Sequence, residues 1–440
     1  MRTFFLLDID CFFASVEMAL NPALRGKPLC VGGLRTDRGI VTCPNFEARG
    51  YGVRTAMPLR TAARLLPPDA VFMRGNYESY GEYSDHVMAM LQDFTPDIRQ
   101  VSVDEAYMDV TGCLHLWGGS PQHMAEAMKE RIRRECGLIV SIGIATNTVC
   151  AKIAAGWGKP DGLILVPPGG ECDFLAPLPV EVVPGVGVKT LPKLHARGIR
   201  TIGDILTRRT VNDPPHDPLA SLFHYIVSCT APSAQFFHPH ERIEHSISRN
   251  RTFDRDTGDR ERVCSTLYCL TERCCKTLRR SERAASTVTV RVRFADFTMA
   301  QKQATLAAPS SNEEDIFAAA QRLLAHLLAP AGRYELIRLV GISVSNLTGP
   351  GEQQRDLGMY FSDRLDALHR RLDALQSRYG YASIRWGITC DPTHPGAELR
   401  ETLASTIARR KQMHSTPPAG HDNLHTGTVK EYADREEALW

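Results

Sequence analysis

A chain of 440 residues exceeds the length at which one hydrophobic core keeps growing, so about two to four domains are expected. Its 43% hydrophobic and 23% charged residues are ordinary for globular protein, and a net charge of +2 neither demands nor excludes a nucleic-acid partner. No apolar run approaches the roughly 18 residues of a membrane span. Asp8 and Asp10 interrupt the first apolar run, so no secretory leader is expected, and thirteen irregularly spaced cysteines fit reduced thiols in the cytoplasm.

The first predicted element is a strand over 3–9, Phe4-Phe5-Leu6-Leu7-Asp8-Ile9, which carries an acid inside an otherwise buried run. Residues 22–70 are richer in Gly, Pro and Arg and read as a small insert. A helical pattern follows over 77–94. A second acidic strand is predicted over 100–110, with Asp104, Glu105 and Asp109. An amphipathic helix begins after Ser120-Pro121, with Met124, Met128 and Ile132 on one face, and a strand over 138–146 closes the unit. Antiparallel strands interleaved with helices on one face predict an α+β layer. A buried carboxylate is costly without a cation or donor. Two such strands side by side would gather Asp8, Asp104 and Glu105 around hard cations, whose natural ligands are carboxylate oxygens. Strand-end carboxylates held by Lys or Arg, or simply solvated, are the alternative.

The pattern changes over 183–206, where Val183-Pro184-Gly185-Val186-Gly187-Val188 and Ile202-Gly203-Asp204-Ile205-Leu206 predict a helix-hairpin-helix. The hairpin offers backbone N–H groups to a phosphate oxygen without reading a base, unless it is a plain turn between helices. A Pro-rich loop at 212–218 and a linker over 230–245 follow. Residues 246–348 then alternate as strand, helix, strand, strand, helix, strand, which predicts a second α+β domain of βαββαβ order. Over 241–302 there are 14 Lys/Arg against 9 Asp/Glu, and Arg291 and Arg293 share a strand face by period 2. That face is either a phosphate track or a solvated charged surface. Cys264, Cys269, Cys274 and Cys275 complete no zinc pattern and read as core or helix-surface thiols. From Thr389 the chain turns polar without sustained period and is expected to be mostly disordered.

Together these features resemble the Y-family of DNA polymerases, in its DinB branch, which copies past damaged template. LDIDCFFASVE (7–17), NPALRGKPLCVGG (21–33), NFEARGYGVRTAMP (45–58), SVDEAYMD (102–109) and AKIAAGWGKPDG (151–162) are similar to family segments in the same order. The resemblance is dense over 1–210 and looser over 246–390. It implies a right-hand architecture: a ferredoxin-like palm (1–10 and 71–165), fingers (11–70), a helix-hairpin-helix thumb (166–230), a linker (231–245), a little finger (246–350), and a clamp-binding motif with a C-terminal helix (351–388).

The resemblance also implies roles. Asp8, Asp104 and Glu105, with the Ile9 carbonyl, match the acids that hold two Mg²⁺. One ion would lower the pKa of the primer 3′-hydroxyl, and the other would hold the triphosphate and neutralise the leaving pyrophosphate. Phe13 falls where a bulky ring under the sugar selects deoxynucleotides, with Phe12 beside it pointing into the core. Arg49 and Lys159 match positions that hold the incoming triphosphate. Cys43 and Phe46 stand where the family commonly has Thr and Tyr, so two phosphate-donating hydroxyls are missing, with Thr42 the nearest substitute. The thumb after the hairpin also departs from the family, lacking its usual Gly-bearing helix. DNA contacts fall to Gly185, Gly187, Lys189, Arg291 and Arg293. Gln354, Leu357, Tyr360 and Phe361 are placed like a sliding-clamp peptide. The expected partners are primer–template DNA, dNTP and a sliding clamp, for a monomer with no membrane attachment. The competing reading is a non-catalytic DNA- and clamp-binding accessory, which loss of the acids would favour. A metal-dependent cyclase or nuclease on a similar palm would leave the hairpin and the basic C-terminal domain without a purpose.

Overall fold

The computed structural model describes residues 2–207, 219–230, 245–329, 336–349, 360–379 and 383–384. The first acidic run forms β1 (Phe4–Ile9), and a left-handed residue, Cys11 (φ 46°), turns the chain into α1 (Phe12–Leu20). A small unit follows: β2 (Leu29–Val31), β3 (Cys43–Pro44), α2 (Phe46–Gly50), α3 (Leu59–Leu65) and β4 (Val71–Met73). Its three strands lie in the order β3-β2-β4 over a core that includes Cys30, Val41, Val53 and Leu59. The Asn45 carboxamide oxygen caps α2 through Ala48 N–H and also accepts from Leu29 N–H at 2.9 Å, which ties the helix to the sheet.

The main layer is completed by α4 (Tyr77–Gln92), β5 (Ile98–Gln100), β6 (Glu105–Asp109), α5 (Pro121–Cys136), β7 (Val140–Ala145), α6 (Thr148–Gly158) and β8 (Leu163–Leu165). Its sheet order is β5-β6-β1-β7-β8, which puts the first acidic strand at the centre. Helices α4 and α5 cover one face, burying Leu91, Met124, Met128 and Ile132 against Phe5, Leu7 and Ile9. On the other face α6 lies almost on the backbone of β7. Gly143 permits this, because a Cβ there would stand 2.0 Å from the Ala151 carbonyl oxygen. The one strand expected over 100–110 is two strands. The chain reverses at 101–104, where Val101 and Ser102 N–H both donate to the Glu105 carbonyl at 3.0 and 3.3 Å. Hydrophobic alternation continues through such a tight turn, so the pattern does not reveal it.

A helical unit is built from α7 (Glu171–Leu175), α8 (Leu191–His195), α9 (Ile202–Thr207) and α10 (Ala220–Ser228). Leu175, Leu194, Ile202 and Phe223 form a core continuous with α6. The element before the Pro184-Gly185 hairpin is only a 3₁₀ turn, Val180–Val182, because a residue before proline is driven out of the helical region. The loop at 212–218 lies outside the described residues, as does most of the linker.

The second layer has the expected βαββαβ order: β9 (Ser246–Thr257), α11 (Arg260–Arg280), β10 (Ala284–Phe294), β11 (Met299–Ser310), α12 (Glu313–Leu328) and β12 (Ile337–Thr348). The antiparallel sheet runs β11-β10-β12-β9, with α11 and α12 packed on Val288, Val290, Val340 and Ile342. Helix α13 (Tyr360–Tyr379) docks on the helical side. Arg279 bonds both Asp373 of α13 (2.8 Å) and Glu313 of α12 (2.7 Å). The two layers meet at Arg38, which donates to the Phe253 carbonyl at 3.0 Å and pairs with Asp256 at 2.6 Å. No helix among the described residues is long and apolar enough to cross a membrane.

Candidate active site

Pairing of β1 with β6 sets Asp8 directly opposite Glu105, and Ile9 N–H donates to the Asp104 carbonyl at 2.8 Å. All three acids therefore converge at one end of the central strands. They stand on or beside the face that α6 crosses, and α6 supplies their cations. Lys152 pairs with Glu105, and Lys159, just beyond the helix, pairs with Asp8 and stands 3.7 Å from Asp10. Asp104 accepts from the Ser102 hydroxyl at 2.5 Å. Burial pushes the Asp8 carboxyl up to about 6 against the pull of Lys159, with the Asp104 and Glu105 charges adding to the rise. As the chain stands, two of the acids are lysine-held, the arrangement the sequence left open as an alternative. Among the described residues no three acidic, His or Cys side chains are gathered closely enough to hold an ion without rearrangement. The donor set still suits a hard divalent cation in kind. It comprises three carboxylates in mutual electrostatic reach, one of them desolvated and raised, beside a strand-end carbonyl.

Phe12 and Phe13 open α1, and both are buried. Phe13 stacks on Tyr80 (centroids 4.5 Å apart, 14° between planes) and meets Tyr77 edge-on at 5.9 Å. Tyr80 is itself fixed, since its hydroxyl donates to the buried Glu17 carboxylate. The Phe13 ring therefore has a rigid backing from α4. The Cys11 thiol hydrogen-bonds Cys43 and pulls it below the usual thiol range against burial, with Ala14 and Phe13 N–H and the Arg49 charge helping. Cys43 thus sits against the N-terminus of α1, with its own thiol directed at the Pro44 carbonyl at 4.0 Å. Phe46 also has a use without a hydroxyl. The Arg49 guanidinium lies 5.6 Å over its ring while Arg49 Nε donates to the Pro44 carbonyl at 3.2 Å.

Gly185 (φ 96°), Gly187 and Lys189 are exposed on the hairpin before α8, with Val188 90% exposed beside them. Arg291 and Arg293 lie on the sheet face away from the helices. Asn250, Gly341, Arg291 and Gln301 form one row across that face. A Cβ at Gly341 would stand 1.9 Å from the Asn250 carboxamide oxygen. Gln354 and Leu357 lie outside the described residues. Tyr360 and Phe361 begin α13, and their side chains lie outside as well.

Three residues escaped the sequence reading. Lys152 is seven residues before Lys159, two helical turns, and that spacing was the available signal. Asp10 is buried, accepting from Ser141 Oγ at 3.0 Å and Asp161 N–H at 2.7 Å. Tyr80 carried no local signal, since only packing brings it to Phe13.

Residues 7–156 match the model of the impB/mucB/samB family, and residues 244–357 match that of the family's C-terminal domain. The chain belongs to this family, the Y-family polymerases, and is a DNA-directed DNA polymerase. Its relatives include the DNA polymerase IV of Dehalococcoides mccartyi (strain CBDB1), 37% identical over 391 residues that cover 87% of this chain and 96% of that protein. DNA polymerase IV 2 of Mesorhizobium japonicum is 37% identical over 402 residues, covering 86% of this chain and 92% of the relative. Among solved structures, a Y-family chimera of Dbh and Dpo4 superposes with a TM-score of 0.65 at 26% identity, over 79% of this chain and 99% of its own. An insertion ternary complex of Dbh DNA polymerase matches over the same shares at 26% identity, with a TM-score of 0.50.

Proposed function

We propose that this polymerase is of the low-fidelity translesion type and extends a primer 3′-hydroxyl by two-metal phosphoryl transfer. The pairing of Asp8 with Glu105 across the two central strands, with Asp104 on the adjoining turn, carries the reading. These acids and the Ile9 carbonyl would hold two Mg²⁺, which when bound supply an acidified 3′-hydroxyl and charge neutralisation at the leaving pyrophosphate. The protein's own work is positioning. Lys159, released from Asp8, and Arg49, backed by Phe46, take triphosphate oxygens. Phe13, backed by Tyr80, closes the space a 2′-hydroxyl would need. The helices of the unit at 11–70 run for only nine, five and seven residues, so few side chains inspect the nascent base pair, which supports low fidelity and tolerance of damage.

The palm is assigned to 1–10 and 71–165, the fingers to 11–70, the thumb to 166–230 and the little finger to 246–350. Gly185, Gly187 and Lys189 would take one stretch of DNA backbone, and Arg291 and Arg293 another. Gln354, Leu357, Tyr360 and Phe361 would engage a sliding clamp. The enzyme would act as a cytoplasmic monomer on primer–template DNA.

The test is primer extension with Mg²⁺ on undamaged and abasic templates. Wild type is expected to extend both, Asp104→Ala neither, and Phe13→Ala to accept ribonucleotides that wild type refuses. Binding without extension by wild type would replace this reading with the accessory protein. Extension by Asp104→Ala would remove the metal assignment.

A further inference from the structure

The loop carrying Lys159 is held from beneath by a lysine on another helix. Lys129 of α5 donates to the Val140 carbonyl at 2.6 Å, to those of Asp161 and Gly162 at 2.8 and 3.0 Å, and pairs with the Asp161 carboxylate at 2.8 Å. Its side chain is only 13% exposed, so the ammonium is largely desolvated and depends on these oxygens. Arg133, one turn further along α5, pairs with the same carboxylate at 2.6 Å. From the other side, Asp161 N–H donates to Asp10 Oδ2 at 2.7 Å, and Gly162 N–H to Ser141 Oγ at 3.0 Å.

The loop between these braces has little slack. Asp161 holds a left-handed backbone (φ 54°), which a non-glycine residue adopts only when its surroundings impose it. A Cβ at Gly162 would stand 2.4 Å from the Gly158 carbonyl oxygen, so the loop closes on the end of α6. Lys159 leaves this closed loop to reach Asp8. Its ammonium is therefore aimed by carbonyls two and three residues further on, and those carbonyls are fixed by Lys129.

We propose that Lys129 is a positioning residue for nucleotide binding, holding the 159–162 loop so that Lys159 stands where the triphosphate must lie. This rests on the proposed triphosphate role of Lys159. Lys129 touches no reacting atom and acts only through that loop.

Single-turnover insertion of one dNTP separates this from a purely structural lysine. Lys129→Met is expected to weaken the apparent Kd for dNTP about tenfold while the maximal rate stays within about twofold and primer–template affinity is unchanged. Lys129→Arg, which keeps donors for the carbonyls, should recover part of the loss. In a Lys159→Ala background, Lys129→Met should add nothing. A fall in maximal rate with unchanged dNTP Kd, or full additivity with Lys159→Ala, would overturn the proposal. Ser141→Ala guards against a Lys129→Met variant that does not fold. It removes the opposite brace and should weaken dNTP binding about threefold, again without effect in the Lys159→Ala background. An unchanged dNTP Kd in Ser141→Ala would count against the brace. Failure of the underlying reading looks different: either wild type inserts nothing, or Lys159→Ala alone leaves dNTP binding intact.

Discussion

At the scale of single residues, the balance between a buried carboxylate and its partners decides the site. Asp8 is desolvated by the strands around it, and Lys159 compensates only in part, with Asp104 and Glu105 repelling it from the neighbouring strand end. Its folded value of about 6 lies above its ordinary 3.8, so the folded state binds the proton more tightly than the unfolded chain. The resulting stability is fully present below pH 3.8 and is lost as pH rises through 6. In chelator, the stability advantage of Asp8→Asn over wild type should therefore grow by about 2 kcal/mol between pH 4 and pH 7 and then level off. Urea unfolding at several pH values measures it, and a flat difference would mean that Asp8 is not desolvated in solution. Added Mg²⁺ should shrink the gap above pH 6. The sequence set Asp8, Asp104 and Glu105 in strand-like runs by their pattern, and only the family resemblance singled out Phe13. It missed Tyr80 because no local period links residue 80 to residue 13; a stack between two helices forms only when both pack on one sheet.

At the scale of elements, α13 shows how buried charge fastens a helix. Arg279 (6% exposed) stands between Glu313 (2%) and Asp373 (16%), and also donates to the Ser311 carbonyl at 3.1 Å. His369 Nδ1 lies 3.2 Å from Glu313, and Gln376 donates to Glu272 at 3.0 Å. Removing the central cation strands a buried carboxylate, which costs more than the ion pair contributes while intact. Arg279→Met, which keeps most of the volume, should destabilise the C-terminal layer by about 3 kcal/mol and expose α13 to protease. Urea unfolding and limited proteolysis report both; a loss under about 1 kcal/mol would mean that apolar contacts dock the helix. The βαββαβ order was legible because each of its strands and helices runs for eleven residues or more with a clear period. The hairpin at 101–104 and the 3₁₀ turn at Val180–Val182 were not, since hydrogen bonds and proline geometry set them below the resolution of a hydrophobic pattern.

At the scale of the whole molecule, the two layers are clasped at Arg38. The guanidinium reaches the edge strand β9, caps the Phe253 carbonyl and makes a two-point pair with Asp256, which Arg338 also approaches to 3.8 Å. Both side chains are about one-fifth exposed, so the pair is screened less than a surface pair. Arg38→Gln and Asp256→Asn should each broaden the distribution of distances between spin labels placed on the two layers. The double variant should be no broader than Arg38→Gln alone, corresponding to a coupling of about 1 kcal/mol. Unchanged distributions in both single variants would show that the layers are held elsewhere. Neither residue stood out in the sequence, because 218 residues separate them. The sequence by itself determined most of the elements, their order and the acidic strands, since periodicity, turn residues and the spacing of charges are local properties of a chain, and its ordered motifs pointed to the family. Only the tertiary structure decided which lysine neutralises which acid, what backs Phe13, how Lys129 aims the 159–162 loop and where the layers touch. Those partners lie dozens to hundreds of residues apart, and strand register, close helix packing at Gly143 and the burial of charge bring them together.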